Sequence, residues 1–121
     1  MKITTTTQNT YKVVAPTQLA GDEVQSLRSE IEKALGSGSS HIMVDLSKTK
    51  QVDSAGLSAL IDGQGRARNL GREAVLVGPN ARMRSLLELT RIHRVMEVFE
   101  HEQAASGFIS QAFAEPYQAA A

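Results

Sequence analysis

Asp53-Ser54-Ala55-Gly56-Leu57 is the stretch of this 121-residue chain whose residue types and spacing offer chemistry. A serine hydroxyl at the exposed start of a helix faces unpaired backbone N–H groups and the positive end of the helix dipole, so a phosphate carried on Ser54 would be held there. The same hydroxyl is what an ordinary N-cap requires. Ser and Asp both lead the ranking of capping residues, so spacing alone favours a plain cap at Ser54. Gly56 would then permit tight packing of the first turn.

The remaining reactive side chains do not converge. His41, His93 and His101 lack metal-ligand spacing and have no acidic cluster beside them, so surface or strand-end positions are expected and no metal site is read. The absence of cysteine excludes thiolate metal sites and disulfides, and agrees with a reducing compartment. Ser54 is not in a Gly-x-Ser-x-Gly elbow and has no histidine placed as its base, which argues against a hydrolase. Asp62-Gly63-Gln64-Gly65-Arg66 contains Gly-x-Gly, but Arg68 stands where a dinucleotide fingerprint wants its third glycine, and no strand directly precedes it. Those glycines cost a helix about 1 kcal/mol each relative to alanine, so close packing of another element is expected there. Asp45 imitates a receiver phosphoacceptor, yet Thr4 to Gln8 supplies no acid for the magnesium that chemistry needs.

Seven arginines lie between Arg66 and Arg94 against two acids, Glu73 and Glu88. They read either as a docking surface for an acidic patch on a protein, or as a solvated helix face on which Arg84, Glu88 and Arg91 pair at i, i+4 and i+7. No aromatic platform or helix-turn-helix pattern accompanies them, so direct nucleic-acid binding is not expected.

The elements that must position Ser54 follow from periodicity. Ile3–Thr7 and Tyr11–Ala15 read as strands of a hairpin turned by Gln8-Asn9-Thr10. Val24, Leu27, Ile31, Ala34 and Leu35 recur at helical spacing behind Asp22 and Glu23, and Gly36 to Ser40 ends that helix. His41–Leu46 is nearly continuous in apolar character and reads as a central strand covered on both faces. A second helix opens at Asp53-Ser54, carries Leu57, Leu60, Ile61 and Ala67, and closes at Asn69-Leu70-Gly71. Ala74–Val77 is a strand. Asn80 caps a third helix bearing Met83, Leu86, Leu87 and Thr90, with Ile92 near its end. Val95–Phe99 is a further strand, and Glu102–Ala114 a last helix docked by Phe108, Ile109 and Phe113. The order ββαβαβαβα implies an α/β fold: a mixed, mainly parallel sheet with four helices. In such sheets ligands and chemistry gather in the loops after the strands, where Ser47 to Ser54 lies.

The chain has 41% hydrophobic and 21% charged residues, with thirteen cations against thirteen anions, which places it among globular proteins. One core is within reach at this length: a single domain over 1–114 with a tail over 115–121. A balanced charge argues against a general nucleic-acid or membrane binder. Met1 to Gln8 has a lysine with no apolar stretch behind it, and no window suits a membrane-spanning helix, so a cytoplasmic protein without membrane insertion is expected.

Four stretches carry a resemblance: His41-Ile42-Met43-Val44-Asp45-Leu46, then Val52-Asp53-Ser54-Ala55-Gly56-Leu57-Ser58-Ala59-Leu60, then Arg68-Asn69-Leu70-Gly71, then Val75-Leu76-Val77-Gly78. Together they resemble the STAS domain of bacterial anti-sigma factor antagonists, in which a buried strand leads into Asp-Ser-Ser/Thr/Ala-Gly-Leu at the head of a helix. The resemblance implies a non-enzymatic partner-switching protein with no cofactor. Its partners would be an anti-sigma factor with serine-kinase activity, which supplies the ATP site, and a phosphatase; a homodimer is compatible with this reading. It places the phosphorylated residue at Ser54 and the partner-binding residues at Asp53, Ser54, Ala55, Gly56, Leu57 and Gln18. Asp53 would shape the loop, Gly56 would admit the partner's backbone, and Leu57 would anchor the helix. Phosphate would add roughly −1.5 to −2 of charge beside Asp53 and disfavour the packed partner. One departure is visible: many phosphorylatable relatives carry Gly-Glu-Leu/Ile-Asp at the end of the second strand, near this loop, where this chain has Thr17-Gln18-Leu19-Ala20. Related STAS proteins serve as stressosome scaffolds or as soluble subunits of lipid-transport complexes, so a non-phosphorylated scaffold or subunit is the alternative.

Overall fold

Apolar runs too dense for a half-exposed strand must be covered twice, and β3 (His41–Asp45) and β5 (Ala74–Val77) are the two such runs here. In the computed structural model, which describes residues 10–36 and 41–112, they are adjacent and parallel, with Met43 beside Val75 and Val44 beside Leu76. Strand β1 (Thr10–Val14) pairs parallel with β3, and β6 (Val98–Phe99) pairs parallel with β5. The four-stranded sheet thus runs β1-β3-β5-β6. Among the described residues every pairing is parallel, and the expected α/β architecture with four helices is present. The first strand of the expected hairpin, Ile3–Thr7, and the docking residue Phe113 lie outside the described residues.

Side-chain alternation divides the core. Ile42, Val44 and Leu76 face α1 (Asp22–Gly36), α2 (Ser54–Asn69) and α3 (Ala81–Leu89), in a cluster with Leu27, Ile31, Leu60 and Leu87. Met43, Val75 and Val77 face the other way, onto Ala105 and Ile109 of α4 (Glu102–Ala112). Phe108 docks that helix as expected, its ring centroid 5.5 Å from that of Phe99.

Three expectations need correction. Ile61, assigned to the buried stripe of α2, is 44% exposed; Ala59, Gly63 and Gln64 complete the stripe instead. Helix α3 stops at Leu89, because Arg91 takes a left-handed conformation (φ 62°), and Ile92 is buried from a separate short 3-10 turn. The strand expected from Val95 is reduced to Val98–Phe99.

Two further strands, β2 (Gln18–Leu19) and β4 (Gln51–Val52), form a small parallel sheet of their own. They occupy the connections that follow β1 and β3, so they stand at the carboxyl end of the main sheet. At the amino end, buried Gln64 donates to the Glu73 carboxylate (2.9 Å) and accepts from the Ala74 amide (2.8 Å). Buried His41 accepts from the Glu73 amide at Nδ1 (3.2 Å).

Candidate functional site

The loop from β3 to α2 is held by its neighbours rather than left free. Thr49, fully buried, donates its hydroxyl to the Pro16 carbonyl (2.9 Å), and the Lys50 amide donates to Thr17 (2.7 Å). Asn80 donates from its side chain to the Thr49 carbonyl (3.3 Å) while capping α3 at Met83. These bonds deliver Asp53 to the corner where β2, β4 and α2 meet.

At that corner Asp53, not Ser54, is the N-cap. Its backbone is extended (φ −102°, ψ −178°), and its carboxylate accepts from the Gly56 amide at 2.8 Å. The second carboxylate oxygen lies 3.4 Å from the amide of Gly21, whose positive φ of 58° turns that N–H toward the site. Ser54 is therefore the first helical residue. It is exposed, and among the described residues no protein group bonds its hydroxyl. The expectation of a plain cap at Ser54 is corrected: a carboxylate one residue earlier has the cap position, and the hydroxyl is left facing solvent at the positive end of the helix.

Gly56 is buried, and a Cβ there would sit 2.4 Å from the Leu19 carbonyl oxygen and 2.7 Å from Val52 Cγ2. The close approach that its lack of a side chain permits is made by β2 of the same chain, not by the backbone of a partner. Leu57 is half-buried against the main core and does anchor the helix. Ala55 and Gln18 are exposed. The Asp53 amide donates to the Leu19 carbonyl (3.2 Å), so the departing stretch Thr17 to Ala20 lies directly against the loop that carries Ser54.

Among the described residues, four of the seven arginines are paired within the chain. Arg66 pairs with Glu32, Arg68 reaches Glu73 (3.2 Å), and Arg72 donates to the Leu35 carbonyl (2.7 Å). Arg84 lies 2.7 Å from Glu100 rather than pairing with Glu88. His93 and His101 are exposed, while His41 is a buried strand-end residue whose pKa is pushed down by burial. Among the described residues no cluster of His, Cys, Asp and Glu could hold a metal.

Periodicity alone did not show a groove of about 530 Å³ between α3 and the β2–β4 corner. Asp53, Lys50, Val52, Arg82, Leu86 and Leu89 are among the residues that line it. The signal available in the sequence was Leu89, which falls outside the buried Met83 and Leu87 stripe and is 80% exposed.

Solved structures with the same fold come from different settings. A Thermotoga maritima protein assigned as an anti-sigma factor antagonist superposes with a TM-score of 0.68 at 21% identity, over 79% of this chain and 85% of that one. A sulfate transporter family protein from Wolinella succinogenes gives 0.69 at 15% identity, over 91% and 90%. The murine solute carrier 26 family member A9 anion transporter gives 0.65 at 21%, over 84% of this chain and 17% of the transporter. No curated protein sequence matches the chain. Among the described residues no helix is long and apolar enough to cross a membrane. Residues 4–98 match the family model described as "Mlab, STAS domain", and with most of its length so covered the chain belongs to the STAS domain family.

Proposed function

We propose that this protein is a partner-switching regulator, an anti-sigma factor antagonist that binds a serine-kinase anti-sigma factor through Asp53, Ser54, Ala55 and Gln18. Phosphorylation of Ser54 ends that binding, a phosphatase resets it, and the chain performs no catalysis itself. The observation that carries this reading is the unused Ser54 hydroxyl, exposed at the first position of α2 while Asp53 discharges the cap. A kinase can take such a hydroxyl without dismantling the helix terminus. The product phosphate would gain from the helix dipole yet would place roughly −1.5 to −2 of charge on a surface that a partner had to desolvate.

The decisive measurement is native mass after incubation with a purified kinase-type anti-sigma factor and ATP. The wild type should gain one phosphoryl group and Ser54→Ala none; no gain on either, or equal gain on both, overturns the assignment. A second reading is a constitutive subunit of a stressosome or a lipid-transport complex, with Ser54 unmodified. The specific observation in its favour is that Gln18 and Ala20, on either side of the Leu19 that accepts from the Asp53 amide, carry no acid where the resemblance leads one to expect two. Under that reading the protein co-purifies with its complex whether or not the hydroxyl is present.

A further inference from the structure

We propose that the groove between α3 and the β2–β4 corner receives an acidic amphipathic helix of the partner protein, an inference that rests on the partner-switching reading and names what the partner presents. Val52, Met83, Leu86 and the 80%-exposed Leu89 give the groove an apolar strip, and mostly polar side chains make up the rest of its lining. Arg82, Leu86 and Leu89 stand at i, i+4 and i+7 along one side of α3, so the apolar strip runs along that helix with a cation at its start.

Charge decides the occupant. Lys50 and Arg82 both line the groove, and neither has an ion-pair partner among the described residues, whereas Arg66, Arg68 and Arg84 are each matched to a carboxylate. The acid that lines it, Asp53, has its carboxylate directed to the amides of Gly56 and Gly21. An apolar strip with two unmatched cations is complementary to a helix that carries apolar residues on one face and acids beside them. Ser54 directly follows Asp53, so a phosphate there would bring about two negative charges to the rim of the groove. That charge offsets Lys50 and Arg82 and repels the acids of the occupant, so modification and release share one electrostatic cause.

The test uses the full chain and a synthetic amphipathic helical peptide with leucine at i, i+3, i+4 and i+7 and glutamate elsewhere, followed by amide NMR. Controls are the lysine counterpart of the peptide, a scrambled acidic peptide, and phosphatidylglycerol vesicles. The expected result is saturable shifts at Val52, Leu86 and Leu89 with the acidic amphipathic peptide, weakened at least about tenfold in Lys50→Glu/Arg82→Glu and in Ser54→Glu. Leu89→Ser, which changes an exposed side chain and leaves the core intact, should weaken it as well. Equal binding of the lysine peptide, shifts confined to other surfaces, no saturable shift, or unchanged affinity in the charge-reversed variant each overturn the proposal. Binding to the vesicles that is lost in the charge-reversed variant, with the peptide ignored, overturns it in favour of an anionic membrane. Neither kinase nor ATP is used, so the two readings fail separately. Phosphate gained on Ser54 with an indifferent groove removes this proposal alone; peptide binding without phosphorylation removes the switch and leaves the groove.

Discussion

Asp53 and Ser54 are both residue types that cap helices, and the backbone allots the duty to the one with extended torsions. Their substitutions should therefore separate. Asp53→Ala removes an acceptor for the Gly56 amide and should cost about 1 kcal/mol in urea unfolding, while Ser54→Ala, which deletes a hydroxyl with no protein partner, should stay within about 0.5 kcal/mol of wild type. Equal losses would return the cap to Ser54. Gly56→Ala is the harsher change: the new methyl meets the Leu19 carbonyl, a backbone group that cannot rotate away. A loss of about 1–3 kcal/mol is expected, with reduced hydrogen-exchange protection of the Asp53 amide as β2 is pushed off. The motif itself was legible in the sequence, because Asp, Ser and Gly at this spacing before an apolar stripe mark a helix start. The division of labour within it was not, since both types rank alike as caps. Nor could local spacing reveal that Gly56 makes room for a strand far earlier in the chain.

At the scale of elements, α2 offers an internal control. Gly63 and Gly65 were both expected to allow close packing, and only Gly63 does so: a Cβ there would lie 3.0 Å from Ile31 Cδ1 of α1, while one at Gly65 meets nothing within 4 Å. Gly65→Ala should accordingly stabilise the protein by about 0.5–1 kcal/mol, the helix-propensity difference alone. Gly63→Ala should gain less than that, or lose stability, because Ile31 must give way. A thermal melt of the two variants checks this, and equal gains would disprove the contact. Helices α1 to α4 and strands β1, β3 and β5 were legible because each is long enough to show its period. Strands β2 and β4, two residues each, carry no period at all and exist because the connections containing them meet in space. The arginine partners were hidden for the same reason: Arg84 finds Glu100 across the fold rather than Glu88 four residues along its own helix.

The whole molecule keeps its candidate site and its buried polar cluster at opposite ends of the parallel sheet, so pH can act on stability without touching the Ser54 corner. Burial lowers the pKa of His41, opposed by Glu73 and reinforced by Arg72. The folded state therefore binds this proton less readily than the unfolded chain, whose histidine titrates near 6.5. Its contribution is fully present above about pH 6.5 and is lost as pH falls through the lowered folded value. Urea midpoints should decline below that pH in the wild type and decline less in His41→Gln; parallel curves would show that another group governs the slope. The Asp45 carboxyl is held below its usual range despite burial, by the Ser47 amide and hydroxyl and by Lys12, so its own contribution disappears only at lower pH. The α/β class was legible as a whole, because alternating strand and helix periods admit few arrangements.

The parallel pairings among the described strands also set an order of events during synthesis. Strand β1 is made before β3, and this ladder partner arrives only with His41, after the whole of α1 has been made. Until then the edge of β1 that β3 will cover is open to any extended stretch nearby, so a nascent chain stalled within α1 is exposed to chaperone capture or aggregation through that edge.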